Sequence, residues 1–93
     1  MPNFSALAPP LVWGPWMNIA SHIGSVPYTI DYQALGDTLV LAQVRYFEAR
    51  SGNQVTTDFT GSISIVTSNS IANIEVRFKG VPLGSAVQGS ISP

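Results

Sequence analysis

Between Leu39 and Gly80 apolar and polar residues alternate with a period of two. Val40, Ala42, Val44 and Tyr46 alternate with Leu41, Gln43, Arg45 and Phe47. Phe59, Gly61, Ile63 and Ile65 alternate with Asp58, Thr60, Ser62 and Ser64, and Ile74, Val76 and Phe78 with Glu75, Arg77 and Lys79. Turn-forming clusters, Ser51-Gly52-Asn53 and Ser68-Asn69-Ser70, separate the runs. Such a pattern predicts half-buried antiparallel strands.

A two-residue loop at Ser51-Gly52 sets Val40 opposite Ile63, Ala42 opposite Gly61, Val44 opposite Phe59, Gln43 opposite Thr60 and Arg45 opposite Asp58. A one-residue slip would mix apolar and polar faces. A loop at Asn69-Ser70 sets Ile65 against Ile74, Ile63 against Val76 and Phe78 across Gly61, with Ser62 meeting Arg77 and Thr60 meeting Lys79. Both registers agree on one apolar face.

Upstream, Tyr28, Ile30, Tyr32 and Ala34 alternate with Thr29, Asp31 and Gln33, and Leu35-Gly36-Asp37 supplies a turn. Residues 16–23 alternate less well, with Met17, Ile19, Ser21 and Ile23 on one side, and Gly24-Ser25 breaks the run. Val87, Gly89 and Ile91 mark a last strand after the Val81–Gly84 turn. The expectation is an all-β, single-domain antiparallel meander of about six strands (16–23, 27–34, 38–50, 54–66, 71–80 and 85–92), closed as a small sandwich or barrel. Residues 1–15 carry Pro2, Pro9, Pro10 and Pro15 among Phe4, Leu7, Leu11, Val12 and Trp13. They read as an extended arm packed across the domain of residues 16–93, or onto a neighbouring subunit.

Composition narrows the function classes. Only 10% of the 93 residues are charged, whereas Ser, Thr, Asn and Gln make up 26 of them. A hydrophobic content of 45% excludes a disordered chain. Four basic residues and a net charge of −1 give no electrostatic footprint for nucleic acid. Near-zero net charge favours association. There is no cysteine for a disulfide or thiolate site. No apolar run is long enough for a transmembrane helix, and the N-terminal stretch lacks the basic start of a signal peptide. Localisation stays open between cytosolic synthesis and a trimmed chain.

Candidate chemistry is sparse. His22, the only histidine, has no nucleophile and orienting partner in any recognisable motif and reads as structural or surface-exposed. The five carboxylates, Asp31, Asp37, Glu48, Asp58 and Glu75, show neither metal-ligand spacing nor a pairing across a cleft. The chain is therefore read as non-enzymatic, without metal or cofactor. What remains is a polar, nearly uncharged sheet face, with rows Thr29, Gln43, Thr60, Lys79 and Asp31, Leu41, Ser62, Arg77, and two tryptophans in Trp13-Gly14-Pro15-Trp16. Hydroxyl and amide groups beside indole rings suit a neutral polyhydroxylated ligand. The first functional expectation is a lectin-like carbohydrate-binding module using Trp13, Trp16, Gln43, Thr60, Ser62, Arg77 and Lys79. The alternative is a structural or self-assembling homo-oligomer without a small-molecule ligand. A membrane-active β protein is the third reading, disfavoured because the polar outer face around 56–64 does not suit lipid.

Overall fold

A computed structural model of the chain describes residues 3–24, 27–66 and 70–93, with side chains for all of these except 22 and 23. Eight strands form: β1 (Asn3–Ala8), β2 (Met17–Ile23), β3 (Tyr28–Ala34), β4 (Leu39–Glu48), β5 (Asn53–Phe59), β6 (Ser62–Ile65), β7 (Ile71–Val81) and β8 (Ser85–Ser92). They make two four-stranded antiparallel sheets packed face to face. Sheet I has the order β1-β8-β3-β6 and sheet II the order β2-β7-β4-β5. The fold is all-β as expected, and of the two expected closures, sandwich or barrel, it is the sandwich, with eight strands where about six were expected. No helix among the described residues is long and apolar enough to cross a membrane.

The alternating residues face inward as the pattern predicts. Ile30, Val44, Ile71, Ile74, Val76, Phe78 and Val87 are essentially inaccessible to solvent, and Val40, Ala42, Phe59, Ile65 and Ile91 complete the buried set with Ala8. Four rings join the sheets. Phe78 lies 6.0 Å from Phe4 and 5.0 Å from Tyr32, centroid to centroid, and Tyr32 meets Phe59 edge-on at 5.6 Å. The Tyr32 hydroxyl donates to the Val40 carbonyl of the opposite sheet.

The path of the chain differs from a meander. Among the described residues only β4 and β5 are both consecutive and paired. The expected long strand 54–66 is broken at Thr60-Gly61. Gly61 has φ of +79°, a conformation glycine adopts without strain, and there the chain leaves sheet II and enters sheet I. β6 therefore pairs with β3, Ile30 opposite Ile63, and not with β7. This overturns the expected Ile65–Ile74, Ile63–Val76, Gly61–Phe78, Ser62–Arg77 and Thr60–Lys79 pairings. Gly89 receives the aromatic cover that Gly61 was expected to have: it pairs with both Phe4 and Tyr32, and a Cβ there would lie 2.3 Å from the Phe4 ring.

The β4–β5 register is also shifted by two residues. Ala42 pairs with Phe59, Gln43 with Asp58 and Arg45 with Thr56. The loop is Ala49–Gly52, closed by the Gly52 amide donating to the Glu48 carbonyl at 2.9 Å. Gly52 takes the positive φ (76°) this loop requires. The expected Arg45–Asp58 and Gln43–Thr60 pairs are accordingly absent. The turn expected at Ser68-Asn69-Ser70 and the break at Gly24-Ser25 fall partly outside the described residues, as does the side chain of His22.

Two bulges explain the poorer patterns. Between Asn18 and Ala20 the β2–β7 register shifts, so Ala20 packs on the core beside Ile19 while Ser21 faces solvent. Asn73, at φ of 54°, adds a residue to β7 opposite β4, which lets Ile71 and Ile74 both face inward.

Within residues 1–15, Asn3–Ala8 form a regular edge strand of sheet I. Phe4, Ala6 and Ala8 point inward while Asn3, Ser5 and Leu7 point outward. Residues 9–16 then cross to sheet II. The Gly80 amide donates to the Pro9 carbonyl (2.8 Å), the Leu11 amide to the Gly80 carbonyl (2.8 Å) and the Gly14 amide to the Phe78 carbonyl (2.9 Å). One half of the β7 edge is thus covered by β2 and the other half by this crossing segment.

Burial pushes the Tyr32 phenol above its usual value of 10.0, against a smaller downward pull from the Gly61 backbone. Tyr46 is pushed the same way, by burial and then by the charge of Glu48. A raised folded-state value for an acid means that the unfolded chain loses its proton first. Stability is then complete below the ordinary phenol value and falls as pH rises through it. Thermal melts from neutral to strongly alkaline pH should show this loss beginning near the ordinary tyrosine value. Tyr32→Phe should flatten part of it, at the cost of about 1 kcal/mol at neutral pH for the lost hydrogen bond.

Candidate functional site

The outer faces of the two sheets differ in chemistry. On sheet II, cross-strand rows are tied by polar side chains. Arg77 donates through Nε to Gln43 Oε1 at 2.7 Å, and Gln43 donates through Nε2 to Asp58 Oδ1 at 2.6 Å, a continuous row over β7, β4 and β5. One row along, Arg45 Nε meets Glu75 Oε1 at 2.7 Å in a half-buried ion pair.

Trp13 and Trp16 lie against these rows. Lys79 Nζ sits 4.7 Å from the Trp13 ring centre, Arg77 Cζ 5.0 Å from Trp13 and 4.4 Å from Trp16, and Arg45 Cζ 4.2 Å from Trp16. Three of the chain's four basic residues thus serve one ladder of cations and indoles. Gly14 permits it: its amide bonds Phe78, and a Cβ there would come within 3.2 Å of the Leu7 carbonyl. Each ring already has two cations against it. Contacts of this kind contribute about 0.5–2 kcal/mol each, more when desolvated, so the ladder braces the crossing segment onto sheet II.

Of the residues expected to bind ligand, Trp13, Trp16, Gln43, Arg77 and Lys79 come together on this face. Thr60 lies at its rim, lining with Trp13, Leu41, Asp58 and Phe59 a cleft of about 240 Å³. Ser62 does not join them. It sits on sheet I opposite Asp31, because the chain changes sheets at Gly61. The expected rows Thr29, Gln43, Thr60, Lys79 and Asp31, Leu41, Ser62, Arg77 are therefore each divided between two sheets.

Sheet I carries a different surface. Asn3, Ser90 and Asp31 form one cross-strand row over β1, β8 and β3, and Ser5, Gln88 and Gln33 form a parallel one. Between them runs a trough of about 600 Å³ floored by the Phe4, Gly89 and Tyr32 backbone row. Ser90 Oγ donates to Asp31 Oδ1 at 3.0 Å. Among the described residues, Asp31 is the only charged one lining the trough. The walls offer amides, hydroxyls and one carboxylate, a set that donates and accepts in many directions.

Of these six wall residues, five did not enter any sequence-based row. The signal for Asn3 and Ser5 was present in the alternation Asn3, Phe4, Ser5, Ala6 but is overshadowed by the flanking prolines. Nothing local joins Gln33 to Gln88, 55 positions away.

Fold and surface together define a small antiparallel β-sandwich with one braced, ion-paired face and one open polar face. No protein-family model matches the chain, and no curated protein matches it either.

Proposed function

We propose that this protein is a non-enzymatic saccharide-binding module whose site is the trough on sheet I. The observation that supports this reading is the pair of walls, Asn3-Ser90-Asp31 and Ser5-Gln88-Gln33, facing each other across a space of about 600 Å³. That volume lies within the range of small-ligand sites, roughly 300–1,000 Å³. Sugar hydroxyls each donate and accept, and a wall alternating amide, hydroxyl and carboxylate answers both roles.

Charge selects among sugars. Among the described residues the lining holds one carboxylate and no basic side chain, a set that disfavours sialic and uronic acids and accepts neutral hexoses or amino sugars. The tryptophans, which the residue pattern placed among the candidate ligand-binding residues, support the site indirectly by fixing the crossing segment that follows β1.

A glycan array followed by calorimetric titration tests the reading. Neutral or amino-substituted oligosaccharides should bind in the micromolar-to-millimolar range, with acidic ones rejected. Asp31→Ala and Gln33→Ala should each weaken binding by about tenfold, the equivalent of one well-formed hydrogen bond to ligand. Both residues are exposed, so neither change should lower the melting temperature appreciably. Absence of binding to any sugar at millimolar concentration, or binding indifferent to both substitutions, would sink the proposal.

A further inference from the structure

Among the described residues the sandwich has four edge strands, β1 and β6 in sheet I, β2 and β5 in sheet II. An edge strand carries backbone N–H and C=O groups on its free side that can pair with another extended chain. Three of these edges are blunted. β6 has four residues only. β2 is bulged between Asn18 and Ala20, which breaks the regular spacing a partner strand needs. β1 runs directly into Pro9 and Pro10, which have no N–H to offer.

β5 has none of these devices. Its seven residues, Asn53–Phe59, keep an unbroken register with β4. They include no proline and no basic residue, and Asp58 is their only charge. Among the described residues no strand pairs with the free side of β5. Sheet I also stops short of it. Thr57 stands opposite the buried Val44, hence on the inward face, and is nevertheless exposed.

The length and parity of the strand select its partner. When two copies of one strand pair antiparallel, the two-fold axis is perpendicular to the shared sheet and keeps each face on its own side. Directly opposed residues must then share a face, and neighbours along a strand do not. β5 meets this condition at full overlap. Thr56 faces Thr56 of the second copy at the axis, Val55 faces Thr57, and Gln54 faces Asp58. The one carboxylate thus meets an amide that can donate to it, and no like charges are opposed. Asp58 already accepts from Gln43 through Oδ1, and a carboxylate has acceptor capacity for further donors. β1 fails the same condition: at full overlap of its six residues, inward Ala8 would oppose outward Asn3.

We propose that β5 is the contact strand of a homodimer, paired antiparallel with β5 of a second copy about Thr56. The two copies of sheet II, four strands each, then join into one continuous sheet. A net charge of −1 leaves little repulsion between the copies. Because the axis preserves faces, both copies of sheet I lie on the same side of the joined sheet, and their troughs open in the same direction. That arrangement raises the avidity for a repeating ligand, but the pairing of β5 does not rest on what the trough binds.

Sedimentation equilibrium of the full chain, from micromolar to millimolar concentration, decides it. One strand pair buries less than a standard interface, so a weak monomer–dimer equilibrium is expected. Gln54 is exposed, and the dimer contains its contact with Asp58 twice. Gln54→Lys should therefore tighten the dimer and Gln54→Glu should weaken it, each by about three- to tenfold. The chain has no cysteine, so an introduced one reports distance. Thr56→Cys should cross-link two copies readily on oxidation, since directly opposed Cβ atoms lie about 5 Å apart. Gln54→Cys, displaced along the strand from its own counterpart, should not. The circular dichroism spectrum should be unchanged in every variant. A chain still monomeric at millimolar concentration overturns the proposal. So does a dimer indifferent to both charge changes at Gln54, or one in which Thr56→Cys cross-links no faster than Gln54→Cys.

Discussion

Phe78→Ala is expected to lower the unfolding free energy by about 3–5 kcal/mol, the range for truncating a buried phenylalanine. Phe78 is 1% exposed, and it is the ring against which both Phe4 of β1 and Tyr32 of β3 pack. Its removal opens a cavity where the two sheets are joined, and neither neighbour can collapse into it freely. Phe4 also covers Gly89, and Tyr32 is held by its bond to Val40. A domain of this size commonly has about 5–15 kcal/mol in total. At about 4–8 °C per kcal/mol for a small domain, the melting temperature should fall by about 15–30 °C. Phe78→Leu retains most of the volume and should cost about 1.5 kcal/mol. Scanning calorimetry of the two variants separates these values, and an alanine variant melting within a few degrees of wild type would show that the ring cluster does not join the sheets.

Gly80→Ala is expected to be comparably severe for a different reason. A Cβ at position 80 would lie 2.0 Å from the Leu83 carbonyl oxygen, 2.8 Å from its carbon and 3.0 Å from Gly84 Cα. All three are backbone atoms, so no side-chain rotation relieves the collision. Moving the β7–β8 turn outward would disturb Gly84, where a Cβ would already meet the Ala8 carbonyl and the Pro10 ring at 3.0 Å. Shifting β7 instead would break the bonds from Gly80 to Pro9 and Leu11. Overpacking of about 1–3 kcal/mol, with one or two hydrogen bonds lost at about 1 kcal/mol each, gives a cost of about 2–5 kcal/mol. Gly24→Ala is the control: its Cβ would meet nothing within 4 Å, and denaturant unfolding should place it within about 0.5 kcal/mol of wild type.

The inward-facing residues were legible because period-2 alternation is a local property. Val40, Ala42, Val44, Ile74, Val76 and Phe78 are all buried where the pattern puts them. Strand partners were less legible. A two-residue shift of β4 against β5 leaves every side chain on its face, so parity alone cannot separate Val44 opposite Phe59 from Ala42 opposite Phe59. The partners that settle the matter come from elsewhere, since Arg45 finds Glu75 on β7 and Gln43 bridges Arg77 to Asp58. The corner at Gly61 was hidden for a related reason. Alternation continues through Thr60, Gly61 and Ser62, and only the positive φ of Gly61 reveals that the strand ends. The trough on sheet I depends wholly on the β1–β8 and β3–β8 pairings, contacts between distant parts of the chain. The brace on sheet II was half legible: the paired tryptophans drew notice, but their partners are the cations of the sheet beneath them.

The indole ladder has a spectroscopic consequence. Trp13 and Trp16 are the only tryptophans, and both lie in or beside the crossing segment, while Tyr28, Tyr32 and Tyr46 belong to β3 and β4. Intrinsic emission excited at the red edge of absorption therefore watches the seating of residues 9–16 on sheet II, while far-ultraviolet dichroism watches the sheets. Because Pro9, Leu11 and Gly14 are bonded to β7, an interior strand of that sheet, the two signals should change together on heating. A red shift that precedes loss of the sheet signal would instead mark a segment that lifts from a sandwich still folded beneath it.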